Sequence, residues 1–187
     1  MAEIISIMKK ITFITGNQKK ADYLIKYLGF PIEHIKLELD EIQSLDLREV
    51  VEHKVRQAYE KVRKPILVDD VALEFSTLGR LPWTFIKFFE EEMSFETLCS
   101  LLDGKKRDAI ARCWYGYYDG ARFVYFEWSM KWMITHEPAK DNGFWWDCIF
   151  IPEWYDITRA EMDEEDDRKT YLQIKPLEKV REFLLTL

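Results

Sequence analysis

Cysteine and histidine are both scarce in this 187-residue chain, with three of each. Cys99, Cys113 and Cys148 are far apart and odd in number, and neither a zinc-type pair nor a nucleophile motif accompanies them. They predict reduced, mostly buried thiols in a reducing compartment. The histidines lack metal-ligand spacing, so the sequence assigns them no catalytic role.

Basic residues do not dominate the charge, and no long apolar run is present. The 27 Lys and Arg against 34 Asp and Glu give a net charge of -7, which argues against a nucleic acid polymer as partner but allows a local basic pocket. The start, "MAEIISIMKKITFITG", lacks the order of a signal peptide, and its apolar runs are too short to span a bilayer. The expectation is therefore a cytoplasmic protein that does not bind membranes.

Apolar and aromatic residues, in contrast, are plentiful. Hydrophobic residues make up 48% and aromatics 15% of the chain, with seven tryptophans. This composition is typical of a soluble globular protein, and the length is enough for a single domain over 1–187, with or without two lobes.

The first half of the chain reads as alternating strands and helices. "ITFIT" predicts a strand that breaks at Gly16, and Asn17 can cap a helix that Gly29 ends. "HIKLEL" alternates as a short strand, and Asp46 with Glu49 forms a capping-box pattern before a helix over Leu47–Val62.

The second half predicts more antiparallel structure. In "KPILVDDVALEF" an apolar strand is expected to end at Asp69 and Asp70, and Pro82 to begin an aromatic-rich helix. Long alternating runs on both sides of Asp119-Gly120 predict a β-hairpin. Thr158 to Glu161 forms a second capping box, and a final helix follows Pro176. The whole predicts an α/β fold with a mixed sheet.

The turn "TGNQKK" is a candidate anion site. A strand, a glycine turn and a helix start present backbone N–H groups and the positive end of a helix dipole, and Lys20 lies in the first helical turn. An ordinary turn with surface lysines is equally compatible with this segment alone.

Carboxylates and a lysine form a second candidate set. Glu41, Asp69 and Asp70 are oxygen ligands suited to a hard cation such as Mg²⁺, although a salt-bridged pair at a strand end is the simpler alternative. Successive strand residues point to opposite faces, so the two aspartates need not share a role. Lys54 falls in the apolar stripe of its helix and either extends to solvent or faces an internal anion.

Aromatic segments form the third set. Lys87 lies among phenylalanines in "PWTFIKFFEE", where it is either exposed or a phosphate ligand. In "GFWWDCIF", Phe144 and Trp146 could stack on a nucleobase while Asp147 accepts base N–H groups, although core packing is the commoner use of such a run.

The order of these segments resembles the inosine triphosphate pyrophosphatase family. The similarity runs from about Ile11 to Met162 and is most specific in "FITGNQKKADYL" and "ILVDDVALEFSTLGRLPWTFIKFF". The resemblance implies an elongated α/β fold with a long mixed sheet and a cleft between two lobes. It also implies a homodimer and Mg²⁺-dependent hydrolysis of purine nucleoside triphosphates with non-standard bases, such as ITP and XTP, to monophosphate and pyrophosphate.

The resemblance also assigns residues. Glu41 and Asp70 match metal-binding carboxylates, Asp70 being also the general base with Asp69 as its acidic neighbour. The positions that match substrate-binding residues are Thr15, Gly16, Asn17, Lys20, Lys54, Lys87, Phe144, Trp146 and Asp147.

Departures from the family pattern concern mainly the base. Trp145 stands where the family has glycine, and the Ser-His-Arg motif after the acidic segment is missing. Asp167 stands where a lysine is expected, and Arg168 or Lys169 could substitute after a small shift. Two further hypotheses follow: the same reaction with a changed base preference, or a nucleotide-binding protein without turnover.

Overall fold

A computed structural model describes residues 10–139 and 145–187, and of Trp145 only the backbone. The six helices of these ranges are α1 Gln18–Leu28, α2 Leu47–Val62, α3 Ile86–Glu92, α4 Phe95–Ser100, α5 Glu164–Gln173 and α6 Leu177–Leu184. The strands are β1 Ile11–Ile14, β2 Ile32–Ile35, β3 Ile66–Phe75, β4 Pro82–Trp83, β5 Asp108–Tyr118, β6 Phe123–Ile134 and β7 Phe150–Pro152. Short 3-10 helices lie at Ser76–Leu78, Trp145–Ile149 and Arg159–Glu161.

The strands form one mixed sheet in the order β2-β1-β3-β5-β6-β7, with β4 paired to β3. β1 is parallel to both β2 and β3. β4 pairs antiparallel to β3, and β7 pairs antiparallel to β6. The predicted α/β class, a mixed sheet flanked by helices, is therefore confirmed. No helix in the described ranges combines the length and apolarity that a membrane crossing requires.

The described residues divide into two compact units. The first unit holds those of Met1–Asp70, Trp114–Glu127 and Pro176–Leu187, and the second unit holds those of Val71–Cys113 and Trp128–Lys175. The single domain expected over 1–187 and the cleft implied by the resemblance stay predictions.

The predicted helix ends follow from local hydrogen bonds. Asn17 caps α1 by accepting from the Lys20 amide at 3.2 Å, and Gly29 ends it at a φ of 63°, which glycine adopts at little cost. Asp46 caps α2 by accepting from the Arg48 amide.

The capping box predicted at α2 is wrong in one detail. The Glu49 carboxylate does not accept from the Asp46 amide; it accepts from the Ser44 hydroxyl at 2.7 Å, and the Ser44 oxygen accepts from the Asp46 amide at 3.0 Å. The Ser44 hydroxyl thus lies between Glu49 and the Asp46 amide, which hydrogen-bond directly to each other in a capping box. The box at Thr158 and Glu161 is present as predicted.

Three predicted boundaries are wrong. β2 covers Ile32–Ile35 instead of starting at His34. Pro82 pairs with Glu74 in the short strand β4, so the aromatic helix begins only at Ile86. β3 does not end at Asp69 and Asp70 but continues to Phe75. Its parallel pairing with β1 reaches Val68 and its pairing with β4 begins at Leu73, so the aspartates lie between two paired stretches.

Each unit has its own apolar core. In the first unit, α2 packs against β1 and β3 through fully or nearly fully buried side chains: Ile14, Val51, Val55, Ala58, Ile66 and Val68. In the second unit, Trp132 meets Phe150 edge to face at 5.2 Å between ring centroids, next to the buried Trp146 and Leu98. Burial of each Val, Ile, Leu or Phe side chain contributes about 1.5–3 kcal/mol to folding, and the smaller Ala58 contributes less.

Stacked rings supplement the core of the first unit. Trp114 of β5 lies parallel to Tyr125 of β6, with centroids 5.2 Å apart and 9° between planes. The Arg48 guanidinium lies 4.8 Å from the Tyr125 ring centre, and Arg56 covers Tyr118 in the same manner. Guanidinium groups on α2 therefore stack on the aromatic rings of the hairpin.

Candidate active site

The turn after β1 is held by its own side chains. The backbone N–H of Asn17 donates to the Thr15 hydroxyl at 3.2 Å. The Thr15 carbonyl oxygen lies 3.0 Å from His34 Nε2, which donates when that nitrogen carries the proton. These contacts fix the backbone that leads into the N-terminus of α1. A built turn at the start of an 11-residue helix suits an anion, because its first amides point outward.

Gly16 leaves open space in this turn. A Cβ added to it would meet no heavy atom within 4 Å, and its φ is outside the left-handed region. Neither packing nor backbone conformation therefore requires glycine at this position. The space fits the close approach of a ligand to the backbone.

Asp69 pairs with Lys20 in the first unit. Lys20 Nζ lies 3.3 Å from Asp69 Oδ2, and the two side chains are 13% and 2% exposed. A carboxylate this deeply buried needs such a counter-charge, because leaving it ionised alone costs several kcal/mol. The pair joins the first turn of α1 to the middle of β3.

Asp70 pairs with a different lysine. Lys54 Nζ lies 3.0 Å from Asp70 Oδ2 and 3.0 Å from Glu41 Oε1, and only 12% of the lysine side chain is exposed. Burial by itself would lower the pKa of Lys54, but Asp70 and Glu41 outweigh it and the pKa is raised. The buried lysine of the apolar stripe therefore faces two carboxylates, and Asp69 and Asp70 contact different lysines.

The oxygen donors of Glu41 and Asp70 fit a divalent metal ion. Both carboxylates already flank one cation, the Lys54 ammonium, and the Glu41 side chain is 62% exposed. Mg²⁺ commonly takes one or two carboxylates and completes its shell with phosphate oxygens and water. Among residues 10–139 and 145–187, no group of three or more His, Cys, Asp or Glu side chains is placed to hold a metal.

The remaining predicted residues belong to the second unit. The Lys87 side chain on α3 is 65% exposed, and its Nζ lies 3.6 Å from Oε1 of Glu91 on the same helix. Trp146 packs in the core near Phe150, and Asp147 is buried. Phe144 lies outside the described residues. The substrate, catalytic and metal roles of all the residues named from the sequence stay predictions.

Arg159 and Glu90 are residues that the sequence analysis missed. Arg159 Nη1 donates to Asp147 Oδ1 at 3.1 Å, with both side chains less than a tenth exposed. Glu90 of α3 has a pKa raised to about 7, first by burial and then by the charges of Asp147 and Glu91. Arg168 and Lys169, which the sequence offered as basic substitutes, are exposed on α5. No short motif links residues this far apart in the chain.

The fold and these contacts define an α/β protein that gathers lysines and carboxylates beside a helix N-terminus. The chain belongs to the Ham1 family, whose model matches residues 11–183. It is 32% identical to the inosine triphosphate pyrophosphatase of Scheffersomyces stipitis, over 96% of this chain and all of that protein. It is 35% identical to inosine triphosphate pyrophosphatase 2 of Trypanosoma cruzi, over 90% and 88% of the two chains. The predicted family is confirmed.

Solved structures share the fold at lower identity. A HAM1 protein from Coxiella burnetii matches with a TM-score of 0.80 and 21% identity, over 96% of this chain and 100% of that chain. The Ham1 protein of Staphylococcus aureus matches with a TM-score of 0.78 and 21% identity, over 95% and 99%. These matches support the same sheet and helix arrangement.

Proposed function

We propose that this protein hydrolyses nucleoside triphosphates to a monophosphate and pyrophosphate with the help of a divalent metal ion, Mg²⁺. The relatives at 32–35% identity are named inosine triphosphate pyrophosphatases. The observation that carries the proposal is the pairing of Lys54 with both Asp70 and Glu41, because it brings acidic groups from two distant segments to one ammonium.

The phosphate chain would bind through backbone and lysine groups. Amides at the start of α1 donate to phosphate oxygens, and the space at Gly16 lets the oxygens approach the backbone. Lys20 and Lys54 offset negative charge. Phosphoryl transfer depends on positioning and charge stabilisation more than on covalent help, so these groups suffice for that task.

The carboxylates would supply the metal site and orient the water. Glu41 and Asp70 hold the ion, which when bound neutralises charge and polarises the phosphoryl oxygens. Asp70, or Asp69 held by Lys20, accepts a hydrogen bond from the attacking water and directs it at the α-phosphorus. Lys20 and Lys54 lie beside Asp69 and Asp70 and would offset the negative charge that a water-orienting carboxylate carries.

The test is pyrophosphate release from a panel of nucleoside triphosphates, with and without Mg²⁺. Asp70→Asn is expected to lower kcat by about 100-fold or more, because it removes a metal ligand and the acceptor for water. Asp22→Asn, at an exposed position on α1, is the matched control and should retain activity. Unchanged turnover by a folded Asp70→Asn protein would refute the assignment. Tight nucleotide binding without product in the wild type would instead support a binding protein without turnover.

A homodimer in the cytoplasm completes this proposal. The dimer comes from the family resemblance, and the cytoplasm from three buried cysteines, none of which forms a disulfide in the described part of the chain. Sedimentation of the purified protein would test the assembly state.

A further inference from the structure

Arg159 connects two acidic residues from separate elements of the second unit. Its Nη1 donates to Asp147 of the 3-10 helix Trp145–Ile149 at 3.1 Å, and its Nη2 donates to Asp167 of α5. The Arg159 side chain is 8% exposed, against 9% for Asp147 and 22% for Asp167. One guanidinium therefore contacts both acidic residues.

The backbone at Arg159 is held independently of these ion pairs. Glu161 Oε2 accepts from both the amide and the hydroxyl of Thr158, at 2.9 and 2.8 Å, and Thr158 is only 2% exposed. This capping box fixes the start of the 3-10 helix in which Arg159 is the first residue. The Arg159 guanidinium thus projects toward Asp147 from a turn that is fixed by its own hydrogen bonds.

Arg159 also has a donor that the acids do not use. Its Nε is buried and has no hydrogen-bond partner among the described residues. Leaving such a donor unsatisfied costs roughly 1–3 kcal/mol. This unsatisfied donor offsets part of the stability that the two ion pairs of Arg159 provide.

The direction of the Asp147 carboxylate depends on this arginine. Asp147 is buried, with 6% of its surface exposed, and Glu90 places a further acidic group near it. The contact with Arg159 Nη1 engages Asp147 Oδ1 and sets how the carboxylate is turned. An ionised carboxylate accepts hydrogen bonds and does not donate them.

We propose that Arg159 is the positioning residue for base recognition, holding the Asp147 carboxylate oriented so that it selects bases with a ring N–H group. This rests on the proposed function and on the predicted contact of Asp147 with the base. It gives Arg159 the task that the sequence offered to Arg168 or Lys169. Lys169 is engaged on the surface of α5, where it pairs with Glu165 at 2.8 Å.

The experiment compares bases that differ at this one position. ITP and GTP carry a ring N–H where ATP carries a ring acceptor, and inorganic tripolyphosphate has no base. In Arg159→Gln we expect KM for ITP and GTP to rise about 10-fold or more with kcat within about threefold, and the preference for ITP over ATP to fall about 10-fold. Binding of tripolyphosphate should stay within about twofold. Arg159→Lys should recover part of the preference, since one ammonium replaces two guanidinium contacts.

Arg107 provides a matched control in the same unit. It is also buried and paired, with Nη2 donating to Asp103 at 2.7 Å and Nη1 to the Thr135 carbonyl oxygen. Arg107→Gln should lower the melting temperature without changing the ITP to ATP ratio. The proposal is overturned if Arg159→Gln weakens every substrate and tripolyphosphate equally, or if Arg168→Gln changes the ratio and Arg159→Gln does not.

Failure of the proposed function gives a different result. If the wild type binds triphosphates without hydrolysing them, calorimetry measures the preference for ITP over ATP as a ratio of dissociation constants. The Arg159 proposal is then tested by the change of that ratio in Arg159→Gln. If neither turnover nor binding of any triphosphate occurs, the proposal falls with the function.

Discussion

Glu90→Gln is expected to stabilise the protein at alkaline pH and not at acidic pH. The folded protein retains the Glu90 proton up to pH about 7, whereas a freely solvated glutamate releases it at its ordinary pKa of 4.5. Between these values the folded state binds more protons than the unfolded chain, so the free energy of unfolding falls as pH rises. Glutamine carries no titrating proton and removes this dependence.

The size of the effect follows from the displacement of the pKa. A change from 4.5 to about 7 corresponds to about 3 kcal/mol across the window. Water reaches the partly exposed carboxyl group and screens it, which reduces the expected effect to roughly 1–2 kcal/mol. The free energy of unfolding of Glu90→Gln should therefore exceed that of the wild type by this amount at about pH 8. At about pH 5 the two free energies should be equal.

Urea unfolding at the two pH values, followed by circular dichroism, measures this difference. Glu92→Gln, at an exposed position of the same helix, is the matched control. It should change the free energy of unfolding by no more than about 0.5 kcal/mol at either pH. An equal gain for Glu90→Gln at both pH values would show that burial and Asp147 do not hold the Glu90 proton.

Two further predictions concern the first unit. Gly16→Ala should change the free energy of unfolding by less than about 0.5 kcal/mol, because its Cβ meets open space, yet raise KM for triphosphates about 10-fold. Gly29→Ala, at a φ of 63°, is the converse control and should cost about 1 kcal/mol with little effect on KM. Lys54→Met should cost roughly 3 kcal/mol without metal, because two acidic groups lose their counter-charge. Added Mg²⁺ should then raise its melting temperature more than that of the wild type, and equal shifts would contradict metal binding at Glu41 and Asp70.

Local signals in the sequence predicted those parts of the fold that local forces determine. The ends of α1 and α2 depend on Asn17, Gly29 and Asp46, whose side chains or backbone act within a few residues. The alternation of a strand likewise predicted that Asp69 and Asp70 would face different surroundings, and each contacts a different lysine.

Features that depend on distant partners could not be predicted in this way. Two charged residues normally mark the end of a buried strand, but Lys20 and Lys54 neutralise them in the middle of β3, and both lysines come from helices. The sequence offered Arg168 or Lys169 as substitutes for the missing basic motif, whereas the cation that contacts Asp147 is Arg159, in a turn that the sequence described only by its cap. The sequence showed the need for a basic group but not which segment would supply it.

The distribution of tryptophan gives the molecule a built-in optical label. Of seven tryptophans, only Trp114 belongs to the first unit, where its ring is stacked on Tyr125. Fluorescence at the red edge therefore reports mostly on the second unit, and a Trp114→Phe protein would report on that unit alone. Comparing this emission with the near-ultraviolet dichroism of the stacked pair would reveal whether the two units melt together or in sequence.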